Sequence, residues 1–198
     1  QSIDGNGEKD YITAEFEEEY RFNSDNGDWT KPIKYYKGVP YSGEIFFNYK
    51  NGQLEEKINY KDGKRDGLYE NYYENGQLEF KGNYKDNIKD GFWEAYYYNG
   101  QLKEKENHKD GTYDGLNEYY YKNGELSRQA NYKDSKRVSI ERYYNNGQLE
   151  EKDNYEGFYQ YYKNGQLKQK VNRKDGMWDG LWESYDDRGH LQEKQNYK

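Results

Sequence analysis

The chain is expected to be all-β: an elongated antiparallel hairpin meander over residues 33–198, behind a small acidic N-terminal cap of residues 1–32. Three observations predict this. The tetrapeptide Asn-Gly-Gln-Leu, or a near variant, starts at Asn51, Asn75, Asn99, Asn123, Asn146, Asn164 and Arg188, with spacings of 24, 24, 24, 23, 18 and 24. A fixed period of this size marks a repeat array. Each copy sits between short segments of alternating polarity, and a second turn-like stretch, Lys-Asp-Gly-x-x-Asp-Gly, closes the other end. Finally, Leu, Ile, Val and Phe together supply only 27 of 198 residues, whereas Tyr alone supplies 27. A composition so poor in aliphatics excludes a thick core. It suits a thin sheet, in which a Tyr ring packs while its hydroxyl stays wet.

The elements follow in order. Residues 1–30 hold nine acids and two bases, and so carry the whole net charge of −7. They do not repeat. Their acidity and the stretch Tyr11–Phe16 read as a cap or strand, because the end of an array must close an open edge. Residues Tyr35–Gly43 form a degenerate first loop with its strand. Seven hairpins of about 24 residues then follow, best seen over residues 59–83. Asn-Gly between alternating segments predicts a two-residue type I′ turn, with positive φ at both residues. With Asn75-Gly76 as that turn, Glu70 faces Lys81. The same arithmetic sets Glu94 opposite Lys105, Glu118 opposite Gln129, Glu141 opposite Lys152, and Glu183 opposite Lys194. Phe46 then faces Lys57, and Tyr159 faces Lys170. Acid–base and aromatic–base pairs across a sheet are each worth roughly 0.2–1 kcal/mol. The 18-residue spacing reads as the usual unit with six loop residues deleted around Asn154–Phe158, a change confined to a loop.

Alternation divides each hairpin into two faces. One is expected to collect the Leu of each tetrapeptide, the second Tyr before each turn (Tyr49, Tyr73, Tyr97, Tyr121, Tyr144, Tyr162), and Ile45, Tyr69, Trp93, Asn117, Ile140, Phe158 and Trp182. This is the face expected to be better buried. The other carries the Glu–Lys ladder, a recurring Asn and the first Tyr of each pair.

The unit Asp-Gly-x-Trp/Tyr-Glu-x-Tyr-Tyr-x-Asn-Gly-Gln-Leu resembles the variant form of the MORN repeat, and most of all the bacterial arrays grouped with YwqK-type antitoxins. The resemblance runs from about Tyr35 to Lys198. It implies a hairpin meander, a protein-binding module without catalysis of its own, and, through the antitoxin grouping, a companion toxin as a partner. The pattern breaks at Val138 and Ser139, where Asp-Gly is lost, and in the short unit after Asn154.

Several function classes are disfavoured. The repeat region is charge-neutral, so no long-range field gathers nucleic acid or an anionic membrane. No run of about 18 apolar residues exists to make a spanning helix. The lack of Cys rules out disulfides and thiolate metal sites. The carboxylates of Asp62–Gly67 and Asp86–Gly91 match no calcium loop and read as turn formers. His108 fills a slot held by Tyr60, Tyr84 and Tyr132, and His190 replaces the Gln of the tetrapeptide, so both read as repeat drift. Neither a catalytic constellation nor a cofactor is expected.

What remains is a protein-binding scaffold acting through a Tyr-rich face. The expected contacts are Tyr72, Tyr96, Tyr120, Tyr143 and Tyr161, framed by Lys81, Lys105, Lys152 and Lys170. The alternatives are an antitoxin or immunity protein that sequesters a toxin, and an exported adhesin that binds cell wall or carbohydrate. A chain that begins at Gln1 and lacks Cys is expected to be exported to a bacterial periplasm or cell surface, with a cytoplasmic location as the alternative.

Overall fold

The computed structural model describes residues 2–4, 16–19, 22–23, 28–29, 33–174 and 176–197. Among them there is no helix; the elements are strands joined by turns. The chain forms two compact units, residues 1–100 with 108–111, and residues 101–107 with 112–198. Within each, hairpin strands are hydrogen-bonded in chain order.

In the first unit Gly43–Asn48 is followed by Leu54–Lys61, Lys64–Tyr72, Leu78–Lys85 and Ile88–Tyr96. Ser2–Asp4 lies parallel to Gly43–Asn48 and covers its outer edge. Two small sheets accompany these: Phe16–Glu19 with Ile33–Tyr36 and Val39–Pro40, and Phe22–Asn23 with Asp28–Trp29. Of the stretch Tyr11–Phe16 only Phe16 lies within the described residues. The second unit takes residues 102–107 of the strand Leu102–Lys109, and then Gly115–Tyr120, Leu126–Lys133, Lys136–Tyr143 and Leu149–Asp153. Gly157–Tyr161, Leu167–Lys174, Met177–Tyr185 and Leu191–Tyr197 complete it.

The turns are assigned the other way round from the sequence expectation. At the Asn-Gly end only the Gly has positive φ, for example 81° at Gly76 and 86° at Gly165. The loop has three residues. Gly76 N–H donates to Tyr73 C=O, and Tyr73 N–H to Gln77 C=O, each at 2.8 Å. This is a type I turn closed by a left-handed Gly. The type I′ turns lie at the opposite tips, where Asp62-Gly63 and Asp110-Gly111 have both φ values positive. The same holds for Asp86-Asn87 and Asp134-Ser135. The reason lies in the Asn side chain. Asn75 Oδ1 accepts from Gln77 N–H at 3.0 Å, while its Nδ2 donates to Tyr98 C=O of the next hairpin at 3.2 Å. Asn51, Asn123, Asn146 and Asn164 repeat both bonds.

The expected register is nevertheless found, because a bulge between Leu78 and Phe80 offsets the extra turn residue. Glu70 faces Lys81, Glu118 faces Gln129, Glu141 faces Lys152, and Glu183 faces Lys194. Phe46 faces Lys57, and Tyr159 faces Lys170. The same bulge corrects the face assignment. Leu78 pairs with Tyr72, Leu126 with Tyr120, Leu149 with Tyr143, and Leu167 with Tyr161. Opposed residues share a face, so the Leu row stands with the first Tyr, not the second. The Leu side chains are half-buried, and Leu191 is exposed.

The second Tyr of each pair is a staple between hairpins. Its hydroxyl donates to the backbone carbonyl of the next hairpin's first Tyr. The bonds run from Tyr49 to Tyr72, Tyr73 to Tyr96, Tyr121 to Tyr143, Tyr144 to Tyr161 and Tyr162 to Tyr185, at 2.6–2.9 Å.

The core is a row that crosses the strands. In the first unit Ile45, Ile58, Tyr69 and Trp93 are buried, with Tyr41 and Tyr60 beside them. Tyr69 lies flat on Phe80 at 5.7 Å, and Tyr84 stands edge-on to Tyr69 and Trp93. Gly82 lies under the Trp93 ring, where an added Cβ would come within 2.2 Å of the indole. The second unit's row contains Asn117, Ala130, Ile140 and Val171. Asn117 is fully buried, and its Oδ1 accepts from Asn107 N–H at 2.9 Å.

Candidate binding surface

The Glu–Lys ladder and the first Tyr share one face. The strand spacing puts each Glu two residues before a Tyr, so the carboxylate can reach that Tyr's hydroxyl. Tyr96 donates to Glu94 at 2.7 Å, Tyr143 to Glu141 at 2.6 Å, and Tyr185 to Glu183 at 2.8 Å. Lys81 bridges to Glu94 at 3.0 Å, Lys152 to Glu141 at 3.3 Å, and Lys170 to Glu183 at 2.8 Å. Lys105 stands opposite Glu118. Tyr72, Tyr96, Tyr120, Tyr143 and Tyr161 are all half-buried.

Electrostatics follows this geometry. Burial first, and then the Glu141 carboxylate, push the Tyr143 hydroxyl well above the ordinary tyrosine value. Tyr72, Tyr96 and Tyr120 rise for the same two reasons. Burial works to raise Glu141, but hydrogen bonds from Tyr143, Gln129 and Lys152 outweigh it and hold the carboxyl low. Tyr96 and Tyr143 are thus held by hydroxyl–carboxylate bonds, and Lys81, Lys152 and Lys170 are spent on ion pairs within the sheet.

A second feature lies in the second unit, on the face of the core row. Two clefts of about 400 and 420 Å³ share Asp153 and Arg173. Phe158, Val171 and Trp182 make an apolar floor. Arg137, Val138, Asn154 and Tyr155 form the outer wall. Arg173 closes an ion pair with Asp153, donates to Asn154 C=O at 2.8 Å, and lies 4.1 Å over Trp178.

Its origin is legible in the repeat. Arg173 occupies the slot that Tyr60 and Tyr84 fill in the first unit. The hairpin before it lacks six loop residues, and Tyr155 turns outward to 76% exposure. Asn154 closes that short loop by accepting from Glu156 N–H and Gly157 N–H at 3.0 and 3.1 Å. With neither Tyr folded over it, the row Phe158–Val171–Trp182 stays open.

Comparison with known families gives seven matches to the MORN repeat variant, at residues 41–62, 65–86, 89–110, 113–134, 140–156, 158–175 and 178–198. The chain belongs to the MORN repeat variant family. No curated protein matches it. MORN repeats are consistent with a binding or scaffold role and are usually non-catalytic.

Among the described residues no group of His, Asp and Glu stands close enough to hold a metal ion. No described helix is long and apolar enough to cross a membrane. The MORN matches also frame the cleft. It lies where the fifth match meets the sixth, and residues 135–139 of its wall fall in the gap between the fourth and the fifth. Sequence reading marked these departures without turning them into a site. The available signals were the deletion, Val138 in place of Asp, and Arg173 in a Tyr slot.

Proposed function

We propose that this MORN repeat protein is a non-catalytic scaffold that binds a partner protein through its Tyr-rich sheet face. One observation carries the reading: in the row of first-Tyr rings the Tyr96 and Tyr143 hydroxyls donate to Glu94 and Glu141, which Lys81 and Lys152 bridge in turn. Fixed aromatic rings lose little entropy on docking, and Tyr is enriched where binding energy concentrates. The same residue types recur along a surface rather than converging on one reacting centre, which favours binding over catalysis.

The test uses the full chain as bait on extracts of its source cells. Retention of one stoichiometric protein, lost when Tyr120, Tyr143 and Tyr161 are changed together to Ala with the fold intact, is the expected result. Unchanged retention by the triple variant contradicts the reading.

A further inference from the structure

The open cleft of the second unit differs in charge from the rest of the array. The tip that runs into its wall, Lys133–Arg137, has three cations and one acid, net +2, and of these Arg137 lines the cleft. The corresponding tips Lys61–Asp66, Lys85–Asp90, Lys109–Asp114 and Lys174–Asp179 are net +1, 0, −1 and −1. One unit of the difference comes from the position where Asp66, Asp90 and Asp114 stand, which is Val138 here. Lys136 and Arg137 are exposed. In the first unit Lys64 is neutralised by Asp86 of the next tip at 2.8 Å. Asp153 is already paired with Arg173, and Glu156 accepts from the Tyr155 hydroxyl at 3.2 Å.

The apolar groups beside this charge are unusually bare. Val138, Tyr155, Met177 and Trp178 are exposed by 44, 76, 72 and 46%. Trp178 lies beside the floor of Phe158, Val171 and Trp182, and Val138 and Tyr155 line the adjoining cleft. An apolar floor with an aromatic rim is the setting in which one anchor side chain supplies most of the affinity. The cleft volume lies within the roughly 300–1,000 Å³ of ordinary ligand sites. A neutral sugar is a poorer match, because the Asp153 carboxylate is engaged and the Arg173 guanidinium lies over the Trp178 ring.

We propose that this cleft seats a linear acidic segment of a partner protein. One aromatic or branched aliphatic side chain rests on the Phe158–Val171–Trp182 floor, and flanking carboxylates pair with Lys136 and Arg137. The proposal deepens the protein-binding reading and rests on it, but it names a different surface from the Tyr row. Charge at the wall speeds encounter and rejects basic segments, while the apolar floor holds the anchor.

The test titrates the full chain with a blocked hexapeptide of Asp and Glu carrying one central Phe, read by indole fluorescence and calorimetry. Two controls replace the Phe by Ala, or the acids by Lys. Binding of the parent peptide is expected, at least tenfold weaker for either control and weaker at high salt. Val138→Asp, which restores the acid of the other tips, and Arg137→Glu are each expected to weaken it at least tenfold at unchanged thermal midpoint. Equal binding of the acidic and basic peptides overturns the proposal, as does indifference to both substitutions. So does the absence of any peptide binding. If the peptides fail while bait capture still depends on Tyr120, Tyr143 and Tyr161, the cleft proposal alone falls. If both fail, the protein-binding reading falls with it.

Discussion

Trp93 and Trp182 fill the same slot of the repeat in the two units, and their surroundings differ. Trp93 is 5% exposed, its indole donates to Asn83 C=O at 3.2 Å, and Tyr84 stands edge-on to it at 5.0 Å. Trp182 is only half-buried and lines a cleft. The residue that would cover it, in the Tyr84 slot, is Arg173, which is drawn to Asp153 and Trp178. The hairpin backbone and the staples are the same in both units. One slot, two residues after the strand's buried position, therefore decides whether a MORN hairpin closes its aromatic row or leaves it open.

The largest expected difference is in stability. Trp93→Ala removes a buried ring from a packed cluster and should cost about 3–5 kcal/mol. Trp182→Ala should cost less than half as much, measured by urea unfolding of the two variants side by side. A second contrast lies under the ring. Gly82→Ala drives a methyl into the Trp93 indole and should cost about 1–3 kcal/mol. Ala130 already has that methyl and faces Ile140, so adding Trp93→Ile to Gly82→Ala should recover part of the loss. If the double variant is no more stable than Gly82→Ala, the packing account of that slot is wrong.

The staples should behave alike in both units. Tyr73→Phe and Tyr162→Phe each remove one hydroxyl bond to backbone and should each cost about 0.5–1.5 kcal/mol. A large difference between them would break the claim that the scaffold is common. The gentlest probe is alkaline pH. Burial, followed by a neighbouring carboxylate, raises Tyr69, Tyr119 and Tyr143 above the ordinary value of 10.0. A raised folded-state value favours the neutral hydroxyl in the native state, so its stabilisation is complete below pH 10 and is lost as pH climbs beyond it. The urea midpoint should hold to about pH 10 and then fall.

Much of this was readable from sequence. The register followed from Glu–Lys and aromatic–Lys pairs spaced symmetrically about each Asn-Gly, because a one-residue slip would separate every pair. The turn type was not readable. Asn75 is held by a bond to the next hairpin, a contact that no local propensity reports. The Leu row was misassigned for a related reason, since the bulge after Leu78 reverses alternation where strict period two was assumed. On the Tyr-rich face, Tyr72, Tyr96, Tyr120, Tyr143 and Tyr161 could be placed in one row from spacing alone, but the hydroxyl bonds of Tyr96 and Tyr143 to Glu depend on side-chain direction. The cleft was visible only as a deletion and a lost Asp. That these open a floor of Phe158, Val171 and Trp182 depends on where Tyr155 and Arg173 turn.

The most direct measurement restores the missing loop. Replacing Tyr155-Glu156 by the eight residues Tyr84–Gly91 returns the short hairpin to full length and supplies a covering Tyr. The account predicts that the urea midpoint rises and the acidic peptide no longer binds. An unchanged midpoint and unchanged peptide affinity in a folded graft would contradict it, because the shortened loop would then not be what opens the face.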